Sequence, residues 1–189
     1  MKLILVGALL NLLFLNSFAQ KAIPCIIETT FGKIRIELYP ETAPVTVANF
    51  LKYVDAGLYD GTNFYRVCTP ENETNRVIRI EVIQGGDVLE TSQFDPIPLE
   101  TTAKTGIRHI SGTLSMARDQ PNSATSSFFI CIGNQPELDF GGKRNPDGQG
   151  FAAFGKVVKG MKVVRKIQAQ KENNQFLIEP ARILSIRRL

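Results

Sequence analysis

Cys25-Ile26-Ile27-Glu28-Thr29, a turn through Thr30-Phe31-Gly32, and Lys33-Ile34-Arg35-Ile36-Glu37-Leu38 read as a β-hairpin. Its second arm alternates, with Ile34, Ile36 and Leu38 on one face and Lys33, Arg35 and Glu37 on the other, so one side is dry and the other wet. Pro40-Glu41-Thr42-Ala43-Pro44 breaks that arm and opens a helix. Pro44 suits the first helical turn, Val47, Phe50, Leu51 and Val54 form an apolar stripe at helical spacing, and Gly57 ends it.

Further along, Asn63 to Cys68 predicts a strand, and the polar run Thr69 to Asn75 can only be a loop. Within it Asn72-Glu73-Thr74 has the pattern of a glycosylation acceptor, which is read as accidental. Val77 to Gln84 predicts the next strand, with Ile78, Ile80, Val82 and Gln84 on one face, stopping at Gly85-Gly86-Asp87. Residues 88–111 carry no regular pattern. Strands are predicted at Gly112 to Ala117, Ser127 to Gly133, Phe151 to Val158 and Arg182 to Ile186, with a short helix from Gly160 to Ala169. Phe128 and Phe129 are neighbours on one strand and must face opposite ways, one into a core and the other onto something beyond it. Eight strands, two helices, long connections and no β-α-β alternation predict a mainly β fold, an antiparallel barrel with peripheral helices.

Upstream of the hairpin, Lys2 precedes an apolar run from Leu3 to Leu15, and Ser17-Phe18-Ala19 has the small-x-small spacing read by signal peptidases. The run is shorter than the roughly 20 residues that span a bilayer. Residues 1–19 are therefore expected to be a cleaved signal peptide, leaving one domain over 20–189 that is exported, periplasmic or secreted, with no stable membrane insertion. With 43% hydrophobic and 21% charged residues the 189-residue chain has globular proportions, which exclude a disordered or disulfide-dense chain. The net charge of +4 is too small and too scattered to mark a nucleic-acid surface.

Cys25, Cys68 and Cys131 are an odd number with strand-like neighbours, and read as small buried hydrophobes; one disulfide with a free thiol is the alternative. No cluster has metal-ligand spacing. His109 is the only histidine, and it reads as structural because no spacing pairs a nucleophile with it.

Four segments in order carry a further meaning: Phe64-Tyr65-Arg66-Val67; Val82-Ile83-Gln84-Gly85-Gly86-Asp87; Gly112-Thr113-Leu114-Ser115-Met116-Ala117 leading to Ser126-Ser127-Phe128-Phe129-Ile130; and Phe154-Gly155-Lys156-Val157-Val158-Lys159-Gly160-Met161. Together they resemble the signature blocks of the cyclophilin-type peptidyl-prolyl isomerases. The resemblance implies a closed eight-stranded antiparallel β-barrel capped by two α-helices. It also implies cis/trans isomerisation of X-Pro bonds without cofactor or metal, assistance to the folding of exported proteins, proline-containing polypeptides as partners, and a monomer. It assigns catalysis to Arg66 and Gln84, and substrate binding to Phe64, Val82, Ala117, Arg118, Phe129, Leu138 and Phe151. Ala117 and Arg118 match the stretch whose backbone pairs with an extended peptide.

Departures from the family pattern are as informative. Tyr65 stands for a histidine, Ser127 for a glutamine and Glu137 for the tryptophan of the drug-binding members, so weak cyclosporin binding is expected. The segment between Val67 and Ile83 is longer than in compact members, and Glu81 falls where they carry a pocket phenylalanine, unless the alignment slips. These polar replacements motivate a second reading, a non-catalytic module that holds a proline-bearing segment or acts as a chaperone.

Overall fold

The computed structural model describes residues 21–189, so the expected signal peptide lies outside the described residues. The hairpin is formed as its alternation demands, β1 over Ile23–Thr29 and β2 over Gly32–Leu38. It is followed by α1, Pro44–Asp55. Then come β3 (Asn63–Cys68), β4 (Val82–Gly85), a single-turn α2 (Thr102–Thr105), β5 (Thr113–Met116), β6 (Phe128–Cys131), β7 (Ala152–Lys159), α3 (Met161–Gln168), β8 (Glu172–Asn173) and β9 (Phe176–Arg188). Every pairing is antiparallel, in the order β1-β2-β7-β5-β6-β4-β3-β9, and β9 pairs back onto β1 to close an eight-stranded barrel, with β8 a short arm on β9. Closure leaves none of those eight strands as a free edge.

The barrel interior is filled by the dry faces, including Ile27, Ile34, Ile36, Phe64, Leu114, Phe128, Phe154 and Ile183. Phe50 of α1 packs edge-on against Phe128 at 5.3 Å and lies 5.1 Å from Tyr59, which locks the helix to the sheet through aromatic contacts. The first N–H groups of α1 have no intrahelical partner. Glu100, far along the chain, supplies it: its carboxylate accepts the N–H groups of Val45 at 3.2 Å and Thr46 at 2.8 Å. A negative charge at that end also complements the helix dipole. Gly85-Gly86 has a packing reason. A Cβ on Gly85 would lie 2.7 Å from the Phe64 ring, and Gly86 adopts φ 81° with Ser126 O 2.9 Å from where its Cβ would stand.

Three sequence expectations need correction. The strand predicted from Val77 begins only at Val82, because the preceding backbone groups are bonded to side chains rather than to a ladder. Ile80 N–H donates to the Glu73 carboxylate at 2.8 Å, and Ile78 O accepts from Arg144 at 2.6 Å. The closing strand starts at Phe176 rather than Arg182 and is led in by β8. A third helix, α2, was not anticipated. Cys25, Cys68 and Cys131 are buried and unpaired. Burial pushes the Cys25 and Cys68 thiols up to about 11 and Cys131 higher still, so all three behave as inert hydrophobes. Among the described residues no helix is long and apolar enough to cross a membrane.

The two phenylalanines of β6 face opposite ways, Phe128 into the barrel core and Phe129 into a second apolar cluster outside it. Phe128→Ala is expected to destabilise the fold by about 3–5 kcal/mol in a urea titration, the cost of a cavity in a packed core. Phe129→Ala is expected to change stability less and peptide affinity more. Equal loss of stability in the two variants would contradict this division of labour.

Candidate active site

The second cluster floors a cleft of about 420 Å³ on the outer face of the barrel. Val82 from β4, Phe129 from β6, Leu138 from the turn after it, and Phe151 just before β7 converge there, joined by Ile80. Phe129 and Phe151 meet edge to face at 5.4 Å, which gives the socket a rigid aromatic corner. Polar groups rim this floor: Tyr65, Arg66, Gln84, Arg118 and Ser127 all line the cleft. An apolar floor beneath a polar rim is a form that ligand clefts take.

Of the sequence-assigned site residues, Arg66, Gln84, Val82, Ala117, Arg118, Phe129, Leu138 and Phe151 line this one cleft. Phe64 does not, and its assignment to substrate binding is corrected. It is fully buried inside the barrel against Phe128, at 5.7 Å between rings. The cause is a β-bulge. Phe64 pairs with Gly85 while Arg66, two residues on, pairs with Gln84, so Tyr65 is the extra residue and the side-chain parity inverts across it. Phe64 points in and Arg66 points out, although they are two apart.

Arg66 is held by neutral oxygens. Its Nη1 donates to Gln84 Oε1 at 2.9 Å, while Nε and Nη2 donate to Gln175 Oε1 at 3.0 and 2.6 Å. None of the ion pairs among the described residues includes it. Gln84 Nε2 in turn donates to Tyr65 Oη at 2.6 Å, which fixes which way the Gln84 amide faces. The tyrosine that departs from the family pattern thus orients the glutamine that orients the arginine. Arg118 is treated differently. Its guanidinium forks onto Asp147 at 2.7 and 2.8 Å, bonds Gly150 O at 2.8 Å and lies over the Phe151 ring, so it builds the wall. Ala117 lines the cleft and donates its N–H to Ser127 O at 2.9 Å.

Ile80 and Val82 line the cleft and Glu81 does not. Glu137 also stays out of the cleft, its carboxylate accepting the Lys143 N–H at 2.8 Å. Of the departures from the family pattern, Tyr65 and Ser127 face it.

His109, which the sequence reads as structural, is buried and bonded at both ring nitrogens. His109 Nδ1 lies 2.8 Å from Asp139 Oδ1 and Nε2 lies 2.9 Å from Ser115 Oγ. Ionised Asp139 only accepts, so Nδ1 carries the hydrogen, and in the neutral ring Nε2 accepts the Ser115 hydroxyl. All three residues are buried, and Ser115 is wholly inaccessible, so its hydroxyl cannot meet a substrate carbonyl. The ring instead stacks on Phe129 at 6.0 Å and backs the socket floor. Segments 6 and 30 residues apart supply the triad, which no local motif announces. Among the described residues no group of three ligating side chains is placed to hold a metal ion.

The barrel thus carries one cleft that combines an apolar floor with an arginine bonded only to amide oxygens. The model of the cyclophilin type peptidyl-prolyl cis-trans isomerase family matches residues 25–188, and the chain belongs to that family. It is 37% identical over 179 residues to peptidyl-prolyl cis-trans isomerase A of Dickeya dadantii, covering 89% of this chain and 86% of that one. Isomerase B of Escherichia coli is 38% identical over 149 residues, covering 74% and 80%. A crystal structure of a cyclophilin type isomerase from Cryptosporidium parvum superposes with a TM-score of 0.72 at 22% identity, over 89% of this chain and 98% of that one. The chain is a peptidyl-prolyl cis-trans isomerase.

Burial pushes the Asp139 carboxyl up, but hydrogen bonds from the His109 ring and backbone, with Arg108, outweigh it and leave the group below the ordinary carboxylate range. Its contribution to stability is therefore complete above the unfolded value of about 3.9 and is lost as pH falls through the lower folded value. Urea unfolding followed from pH 6 downward is expected to show an acid limb that is shallower in Asp139→Asn. Superimposable acid limbs would remove Asp139 from the account.

Proposed function

We propose that Arg66 is the residue that accelerates X-Pro rotation, with Gln84 holding both it and the substrate backbone, and that the socket of Val82, Phe129, Leu138, Phe151 and Ile80 receives the prolyl ring. The barrier to that rotation, about 18–20 kcal/mol, is amide resonance. At the twisted geometry the prolyl nitrogen turns pyramidal and regains a lone pair, which neither planar isomer offers. A cation fixed beside it stabilises the twisted form over both ground states, and only such a difference raises the rate. The ring needs no polar partner, so an apolar socket anchors it while the acyl side turns. No covalent bond is made or broken, so the reaction requires neither the buried Ser115 nor a metal.

The observation that carries this reading is the bonding of Arg66 to two amide oxygens and to no carboxylate. Orientation is imposed and the charge stays uncancelled. Proline-containing polypeptides are the substrate class, bound as an extended strand along Ala117. The apolar run at 3–15 behind Lys2 supports export, and on that reading the substrates are proteins folding outside the cytoplasm.

Cis/trans exchange of a short Ala-Pro peptide, measured by NMR with and without the protein, tests the assignment. Arg66→Ala is expected to lower the catalysed rate at least tenfold, about 1.4 kcal/mol of transition-state stabilisation, with peptide binding retained. Loss of binding in proportion to rate would make Arg66 a ground-state contact instead.

A further inference from the structure

Residues 69–81 form an excursion between β3 and β4 that the barrel ladder does not use, yet its Glu73 is sunk to 1% exposure. The Glu73 carboxylate receives both terminal nitrogens of Arg144, the Ile80 N–H at 2.8 Å and Gln175 Nε2 at 3.4 Å. Gln175 then presents its carbonyl oxygen to Nε and Nη2 of Arg66. Arg66 can only donate and Glu73 can only accept, so the amide has one orientation that satisfies both ends. The backbone of Gln175 is pinned as well. It sits at φ 74°, after Asn174 at φ 51°, in the turn between β8 and β9. Its carbonyl accepts the Val67 N–H at 2.8 Å, and its N–H donates to Glu172 at 2.5 Å. A left-handed conformation is unfavourable for a non-glycine residue, so glycine would suit the turn better than glutamine.

We infer that Gln175 is a positioning residue for Arg66, and that Glu73, neutralised by Arg144, fixes the Gln175 amide from the inserted loop. This rests on the reading of Arg66 given above and extends it. Three of the five guanidinium N–H groups are committed by Gln84 and Gln175, so the plane cannot rotate, and the remaining two are left for substrate. An amide oxygen achieves this without placing a full negative charge on Arg66. A carboxylate in direct contact would cancel the field that the pyramidal nitrogen needs. The inserted loop is then a brace for the catalytic cation, and Arg144 ties it to the 139–150 loop.

Gln175→Gly tests this cleanly, because it relieves the positive φ while removing the amide. Its thermal midpoint is expected to equal or exceed that of the unaltered protein. In NMR exchange measurements kcat is expected to fall about tenfold with peptide affinity unchanged within about twofold. In an Arg66→Ala background the same substitution is expected to cost nothing more, and Glu73→Gln is expected to slow the unaltered protein but not the Gln175→Gly variant. A rate for Gln175→Gly within about twofold of the unaltered protein, while Arg66→Ala loses its rate, overturns the positioning role alone. So does an equal loss in both backgrounds. If Arg66→Ala keeps its full rate, the reading of Arg66 itself falls and takes the positioning role with it.

Discussion

The bonds from Arg66 to the amide oxygens of Gln84 and Gln175 are what the rest of the molecule arranges. A cation useful to a twisting amide must be fixed and yet not neutralised, and these demands conflict because the strongest way to fix a guanidinium is a carboxylate fork. Neutral oxygens resolve the conflict, but each must itself be held. Gln84 is held by Tyr65 and Gln175 by Glu73. Those residues come from β3, β4, the β8–β9 turn and the inserted loop, which lie side by side only because β3 pairs with both β4 and β9. Closure of the barrel is thus a condition of the chemistry as well as of stability.

The socket depends on the same outer face of the sheet. β6 sends Phe128 into the barrel core and Phe129 onto the cleft floor. Behind Phe129 the His109 ring, bonded at both nitrogens, makes a plate that cannot tilt without breaking a buried hydrogen bond. On the proposed reading the prolyl ring is the anchored half of the substrate, and a rigid floor keeps the two halves of the amide from turning together.

The alternation in β2, the stripe on α1 and the paired phenylalanines made most of the barrel legible from composition and period, since each rests on a local preference. The losses have particular causes. Glu179-Pro180 interrupts the pattern of β9, so its first half and the Asn174-Gln175 turn went unseen, and with them a ligand of Arg66. The run from Val77 alternates as a strand does, yet its backbone is claimed by Glu73 and Arg144, and Val77 is almost fully exposed. Phe64 was placed in the cleft because the resemblance assigned it there, whereas a bulge at Tyr65 turns it inward, and a bulge leaves no mark on a period-2 pattern. His109, Ser115 and Asp139 meet through tertiary packing alone. The cleft residues were found through resemblance, and their supports only through geometry.

Arg66→Lys separates the two halves of the claim most directly, since lysine keeps the charge but lacks the planar fork that engages Gln84 and Gln175 together. The catalysed exchange rate of an Ala-Pro peptide is predicted to fall by about tenfold or more, close to the alanine variant, with the fold and peptide binding preserved. A lysine variant that turns over at the full rate would contradict the account, because charge alone would then suffice and the oriented guanidinium would have no catalytic meaning.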